Sequence, residues 1–184
     1  MIIRDFAERC CLALGKLGMT LADEHDITLG RALAARTVSP AITTVETLSR
    51  VQTITRCSSF VLKSGEDLAA VLAVIPLTPA ALPSLAAGIF DGVNPPEDLI
   101  ARPGEGVAAY YGWGMAGATW RGRGTIMSAA LKLRWETFPC IPLYGRAATP
   151  GGERTLLGRL GATSVPGPGG LVMAEPASPC RKVA

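Results

Sequence analysis

A chain of 184 residues with 48% hydrophobic and 18% charged side chains is set to fold as one domain with a substantial core, which excludes a disordered polypeptide. The formal charge of +3 is mild, and no dense basic patch interleaved with aromatics exists, which excludes nucleic acid as a partner. The five cysteines, Cys10, Cys11, Cys57, Cys140 and Cys180, form no Cys-x-x-Cys pair and lie far along the chain from the one histidine, His25. They therefore spell neither a zinc site nor a disulfide framework, and they read as reduced thiols of a cytoplasmic protein.

In chain order, Arg4, Asp5, Glu8 and Arg9 interrupt the place where a secretory leader would need an apolar core. Residues 2–17 read as a helix with Ile3, Phe6, Ala7, Cys10 or Cys11, and Leu14 on one face, closed by Gly18. Residues 19–22 suit a short strand. Asp26 is a candidate cap for a helix through residue 35, and Pro40 breaks the pattern. Thr43 or Thr44 is positioned to cap the next helix. Residues 1–56 thus form a helical N-terminal part. Residues 58–63 and 68–77 alternate as the strands of a hairpin around Ser64-Gly65-Glu66-Asp67. Residues 68–90 run without a charge, long enough to span a bilayer, but Pro76, Pro79 and Pro83 would leave backbone groups unpaired in lipid. The stretch is read instead as a buried strand followed by a short helix over 80–90. Residues 91–106 form a long surface loop.

Residues 107–119 hold no charge and no proline and read as the central strand. One face carries Val107, Ala109, Tyr111, Trp113, Met115 and Gly117; the other carries Ala108, Tyr110, Gly112, Gly114, Ala116 and Ala118. The second face is nearly all small, so a helix, a backbone or a ligand can approach it, and its glycines mark a candidate bulge. Next comes the turn Trp120-Arg121-Gly122-Arg123-Gly124-Thr125, then a helix over 126–138 with Ile126, Ala129, Ala130 and Leu133 on its apolar stripe. Residues 140–149 suit a strand in which Pro142 implies a missing ladder partner. A helix over 150–160 is closed by Gly161, and short strands follow at 162–165 and 171–174. A glycine turn that opens a helix suits an anion. First-turn N–H groups lack intrahelical acceptors, the helix dipole is positive there, and Arg121 and Arg123 add charge. The same segment also suits a solvated loop.

Trp120-Arg121-Gly122-Arg123-Gly124 resembles the aromatic-Arg-Gly-Lys-Gly signature of the GNAT superfamily, the acyl-CoA-dependent N-acyltransferases. Leu160-Gly161 is similar to that family's Leu-Gly-Phe ending, and the hairpin falls where the family has one. The resemblance spans roughly residues 58–175 and marks a divergent member. It implies an α/β (α+β) fold with a mixed, mostly antiparallel central sheet flanked by helices. In that fold the strands before and after the glycine turn are splayed apart. It further implies one GNAT-like domain over 1–184, with its core at 58–175 and a flexible tail at 176–184. The implied cofactor is acetyl-CoA or another acyl-CoA. Its diphosphate would lie on Arg121, Gly122, Arg123, Gly124, Thr125 and Ile126, and its pantetheine arm along Met115, Ala116 and Gly117. The implied reaction is direct attack of an amine on the thioester, with a base and an acid assisting.

Several positions depart from the family pattern. Ile126 stands where the family has Gly or Ala, which would crowd the phosphates. Pro150 and Leu157 stand where it often has Asn and Tyr, and Ala162 replaces the closing Phe. With the usual thiolate-protonating tyrosine absent, Tyr110 and Tyr144 on the two splayed strands are the candidate catalytic acids, although each better suits a packed aromatic with a satisfied hydroxyl. Three readings follow: an N-acyltransferase for a small-molecule or protein amine, a catalytically weak acyl-CoA-binding module, or a domain whose apolar N-terminal helices serve assembly, such as a homodimer. None calls for a metal or a membrane.

Overall fold

The computed structural model describes residues 5–177; the beginning of the first expected helix at 2–4, Cys180 and the tail from 178 lie outside the described residues. Helix α1 (Phe6–Gly15) ends before Gly18, which takes a left-handed φ of 74°. A two-residue strand, β1 (Thr20–Leu21), leads to α2 (Glu24–Thr37). The cap of α2 is Asp23 rather than Asp26. Asp23 is extended, and its carboxylate accepts the Asp26 N–H at 2.8 Å, while Asp26 answers more loosely at 3.5 Å. Asp26 is thus the third helical residue of a reciprocal capping box, a device that contributes about 1 kcal/mol. Thr44 caps α3 (Val45–Thr55) by accepting from Thr47 N–H at 3.2 Å.

The hairpin is β2 (Ser59–Ser64) and β3 (Asp67–Leu77). A 3₁₀ turn at Pro79–Ala81 and α4 (Leu82–Ala86) replace the longer helix expected at 80–90. Then come β4 (Ala109–Gly117), α5 (Trp120–Lys132) with a wide π-type extension Leu133–Thr137, and β5 (Leu143–Arg146). Next is α6 (Pro150–Glu153), extended by a second wide segment Arg154–Arg159, and the chain closes on β6 (Thr163–Ser164) and β7 (Leu171–Ala174).

The seven strands form one sheet in the order β1-β2-β3-β4-β5-β7-β6, antiparallel throughout except between β4 and β5. This is the mixed, mostly antiparallel sheet that the resemblance implied, and helices cover both of its faces. On one face Phe6, Cys10 and Leu14 of α1 meet Ile126, Ala129 and Leu133 over Ala70, Leu72 and Val74. On the other, Val51, Ile54, Leu85 and Phe90 pack on Ile75, Leu77 and Tyr111. Strand β3 is covered on both faces, so both sets of its alternating residues must be apolar. That is why the first half of the uncharged run 68–90 is apolar on both faces. Among the described residues no helix is long and apolar enough to cross a membrane.

The expected division of faces along the central strand fails halfway. Ala73 pairs with Gly114 and Val74 with Gly112, which leaves Trp113 as an extra residue, a β-bulge. Beyond it the alternation inverts. Met115 pairs with Leu72 and joins the α5 face instead of sharing the side of Tyr111.

Candidate functional site

The site begins where two parallel strands stop pairing. Strands β4 and β5 are matched at Tyr110↔Leu143, Tyr111↔Tyr144 and Gly112↔Gly145 only. Tyr110 N–H donates to the Pro142 carbonyl at 3.1 Å, so Pro142 lies just outside β5 and its missing N–H leaves no gap in the ladder. From Trp113 to Gly117, β4 has no partner on the β5 side, because the chain leaves β5 after Arg146 for α6. The strands diverge, as expected. Since both run the same way, their C-terminal ends and the N-terminus of α5 lie at the same end of the sheet, where ligands of such crossovers gather.

The divergence leaves space on both faces. A narrow cleft of about 110 Å³ lies on the α5 side, walled by Gly112 and Met115 of β4, Leu133, and Leu156 and Leu160 beyond α6. A larger cavity of about 490 Å³ lies on the opposite side, between α2 and the sheet, with Ile27, Ile42, Leu48, Val71 and Phe90 in its walls. Trp113, Gly114, Met115, Arg146 and Ala148 line both. The two spaces therefore flank the gap in the sheet and share these residues as walls.

The glycine turn is not a turn before the helix but the first two turns of the helix itself. Thr119 is the cap, and its hydroxyl accepts the Gly122 N–H at 3.0 Å. Gly122 is buried because the helix leans on β3: a Cβ there would overlap the Ala69 carbonyl oxygen and sit 2.9 Å from its carbon. Gly117 is equally constrained, since a Cβ would lie 2.8 Å from the Arg123 nitrogen. Arg121, Arg123 and Gly124 are exposed, and Thr125 is half-buried. None of residues 120–126 lines either cavity; their position is the helix entrance, where the amides of Trp120 and Arg121 have no intrahelical acceptor. Ile126 points into the core at 5% exposure, beside Ala129 and Leu133, so its bulk does not bear on the helix entrance as expected. Ala116 is buried, while Met115 stands at the junction of the two spaces.

The two candidate tyrosines are not brought together. Tyr110 faces α5, stacks on Phe138 at 4.6 Å between ring centroids and contributes its ring to the narrow cleft. Tyr144 is register partner to Tyr111 and therefore faces the other side, in the Phe90 cluster, lining neither cavity. The sheet itself separates them, so they cannot act on one reacting centre. Burial pushes the Tyr110 phenol well above its ordinary value, opposed in part by the nearby Arg134 guanidinium. Among the described residues neither Tyr110 Oη nor Arg134 Nη1 makes a hydrogen bond of ordinary geometry, although the two groups are neighbours. Burial likewise raises Tyr111 and Tyr144.

This burial makes the fold sensitive to alkali. A phenol whose folded pKa exceeds its unfolded value of about 10 stabilises the fold fully below that value and loses the contribution as pH rises towards the folded one. Above about pH 10 the stability falls by roughly 1.4 kcal/mol per pH unit for each tyrosine still protonated in the fold. The Cys10 thiol, raised first by its hydrogen bond with Cys57, acts in the same sense. Urea midpoints between pH 9 and 11 check this: Tyr110→Phe should show a slope shallower by about 1.4 kcal/mol per unit, and an unchanged slope would contradict the burial account.

One residue at the junction was not singled out by sequence reasoning. Arg146 ends β5 and lines both spaces. Its Nε donates to Gly169 O at 2.9 Å, Nη1 to Tyr111 Oη at 3.5 Å and Nη2 to Gly88 O at 3.4 Å. The available signal was that Arg146 is the sole charge in residues 140–149. Across the cavity, Trp113 Nε1 donates to Gly92 O at 2.6 Å and pins the 91–94 loop against the sheet.

No family model matches the sequence, and no curated protein matches it. Among solved structures the chain is similar to the GphF GNAT-like decarboxylase in complex with isobutyryl-CoA, at 19% identity over 76% of this chain and 71% of that chain, with a TM-score of 0.47.

Proposed function

We propose that this chain binds an acyl-CoA at the divergence of β4 and β5 and transfers its acyl group to an amine. One observation carries the reading: β4 and β5 part after Gly112 at the end where the N-terminus of α5 emerges, and a narrow cleft and a larger cavity flank the gap, with Trp113, Gly114, Met115 and Arg146 in the walls of both. The residues suit the cofactor. The free edge of Trp113–Gly117 can pair with an extended, amide-bearing arm. The first-turn amides of α5 with Arg121 and Arg123 suit a diphosphate, and a Cβ at Gly124 would meet nothing, so the space over the second turn is open. When bound, acyl-CoA supplies an acyl group activated as a thioester.

The chain's own side chains do the rest. Leu133, Leu156 and Leu160 exclude water from the cleft. Trp113 and Met115 shape the opening through which an amine in the larger cavity would reach the cleft. No carboxylate or imidazole lines the narrow cleft, so the ammonium proton must leave on the other side. Asp91 lines that side and is held in no ion pair among the described residues; its Oδ1 accepts the Val93 and Asn94 N–H groups. A second reading, binding without transfer, draws support from the separation of Tyr110 and Tyr144 and from Leu157 at the position of the family's acid.

Two measurements test this. Acetyl-CoA at a hundred times its Kd should stabilise the fold by about 2.7 kcal/mol, a rise in Tm of roughly 5–11 °C for a chain of this size. Coenzyme A release, followed with a thiol reagent over a panel of amines, should then exceed the amine-free rate. Stabilisation without release selects the second reading. No stabilisation removes both and leaves only an assembly role.

A further inference from the structure

We propose that the amine acceptor is an α-amino acid with an apolar side chain, its carboxylate held by Arg146 and Tyr111 and its side chain in the larger cavity. This rests on the acyl-transfer reading above and names its substrate class.

Arg146 is a half-buried cation with no ion-pair partner among the described residues. The four ion pairs among the described residues, Arg50–Glu97, Lys63–Asp26, Arg102–Glu97 and Lys132–Glu136, do not include it. Three of its five N–H donors bond to neutral oxygens, those of Gly169, Gly88 and Tyr111, which leaves two. A guanidinium fixed this way keeps its full charge and a planar pair of donors, the arrangement that matches a carboxylate and outperforms a point charge. The Tyr111 hydroxyl accepts from Arg146, and its own hydrogen has no acceptor among the described residues. Its ring packs against Phe90 at 5.2 Å between centroids, and the phenol oxygen lies so close to Gly92 that a Cβ there would sit 2.7 Å from it, so ring and backbone hold the hydroxyl in place. Cation and phenol together offer a rigid site for two carboxylate oxygens at the gap in the sheet.

The rest of the ligand follows from the walls. The cavity of about 490 Å³ falls within the ordinary range of small-molecule sites. Ile27, Ile42, Leu48 and Phe90 favour an aliphatic or aromatic body. In an α-amino acid the nitrogen is one carbon from the carboxylate. Anchoring the carboxylate on Arg146 therefore holds the amine at the gap that the two spaces flank. In the transfer a C–N bond forms to the acyl carbon and the C–S bond breaks with its electrons on sulfur; the nitrogen gives up two of its three ammonium protons, one to solvent before attack and one, through water, to the departing thiolate.

The test compares leucine and phenylalanine with leucinamide and phenylalaninamide, in which a neutral amide of similar shape replaces the carboxylate, and with 3-methylbutylamine and phenethylamine. Binding without cofactor is read from the Trp113 contribution to intrinsic fluorescence, and transfer from coenzyme A release. The acids should bind about thirtyfold to a hundredfold more tightly than their amides. Arg146→Leu should bring that ratio close to one. Tyr111→Phe, a milder change, should lower it about fivefold. A purely structural Arg146 would alter binding of acid and amide alike and leave the ratio intact. Equal binding of acid and amide by the wild-type chain, or a ratio that survives Arg146→Leu or Tyr111→Phe, overturns the proposal. Failure of acetyl-CoA to stabilise the wild-type chain would instead remove the acyl-transfer reading, since the fluorescence arm needs no cofactor.

Discussion

Reversing both charges at the helix entrance, Arg121→Glu together with Arg123→Glu, is expected to abolish stabilisation of the fold by acetyl-CoA and by free coenzyme A. The change takes the local side-chain charge from about +2 to about −2 at the place proposed for a diphosphate. At about 6 Å a charge pair is worth roughly 0.7 kcal/mol in water and about 3 kcal/mol at the effective dielectric of a protein surface. Losing two attractions and gaining two repulsions therefore weakens binding by at least about a hundredfold. The substitution should not harm the fold. Both side chains are exposed, and carboxylates in the first turns of α5 complement its dipole by about 0.3–1 kcal/mol each. Loss of the ligand response would thus be a loss of binding. An intact thermal response in a folded double variant would move the diphosphate elsewhere and undo the assignment.

Substituting Gly122 by alanine should destabilise the protein sharply, while the same change at Gly124 should not. The added methyl at 122 meets backbone, not a flexible side chain: the Ala69 carbonyl, which also accepts the Ala118 N–H at 2.9 Å. Helix α5 must shift off β3, at a cost of about 1–3 kcal/mol or more, and Tm should fall by roughly 2–4 °C for each kcal/mol. Around Gly124 nothing lies within 4 Å, so alanine there gains up to about 1 kcal/mol of helix propensity. Thermal melts of the two variants check the pair. Equal effects would show that α5 does not lean on β3 in this way. If the space over Gly124 admits the phosphates, Gly124→Ala should pair a higher Tm with a smaller response to coenzyme A.

The chain order of helices and strands was legible in the residues because it depends on neighbours in sequence. The caps at Thr44 and near Asp26, the hairpin around Gly65, the uncharged run of β4 and the apolar stripe of α5 are local patterns of period and turn chemistry. The motif at 120–124 announced the start of a helix after a strand. What sequence could not supply were distances between segments far apart in the chain. Gly122 reads as a glycine for a ligand's approach, and only the packing of α5 on β3 shows that it makes room for Ala69. The bulge at Trp113 falls between Gly112 and Gly114, the glycines that marked a candidate bulge, but that it inverts the faces of β4 is decided only by the one-residue slip in register against β3. Tyr110 and Tyr144 look like partners on adjacent strands until the register with β5 sets them on opposite faces. Arg146 is an ordinary arginine in the sequence. It becomes a half-buried cation at the junction of two cavities only because β4 and β5 part, α6 turns away, and Gly88, Tyr111 and Gly169 converge on it from three distant stretches of chain.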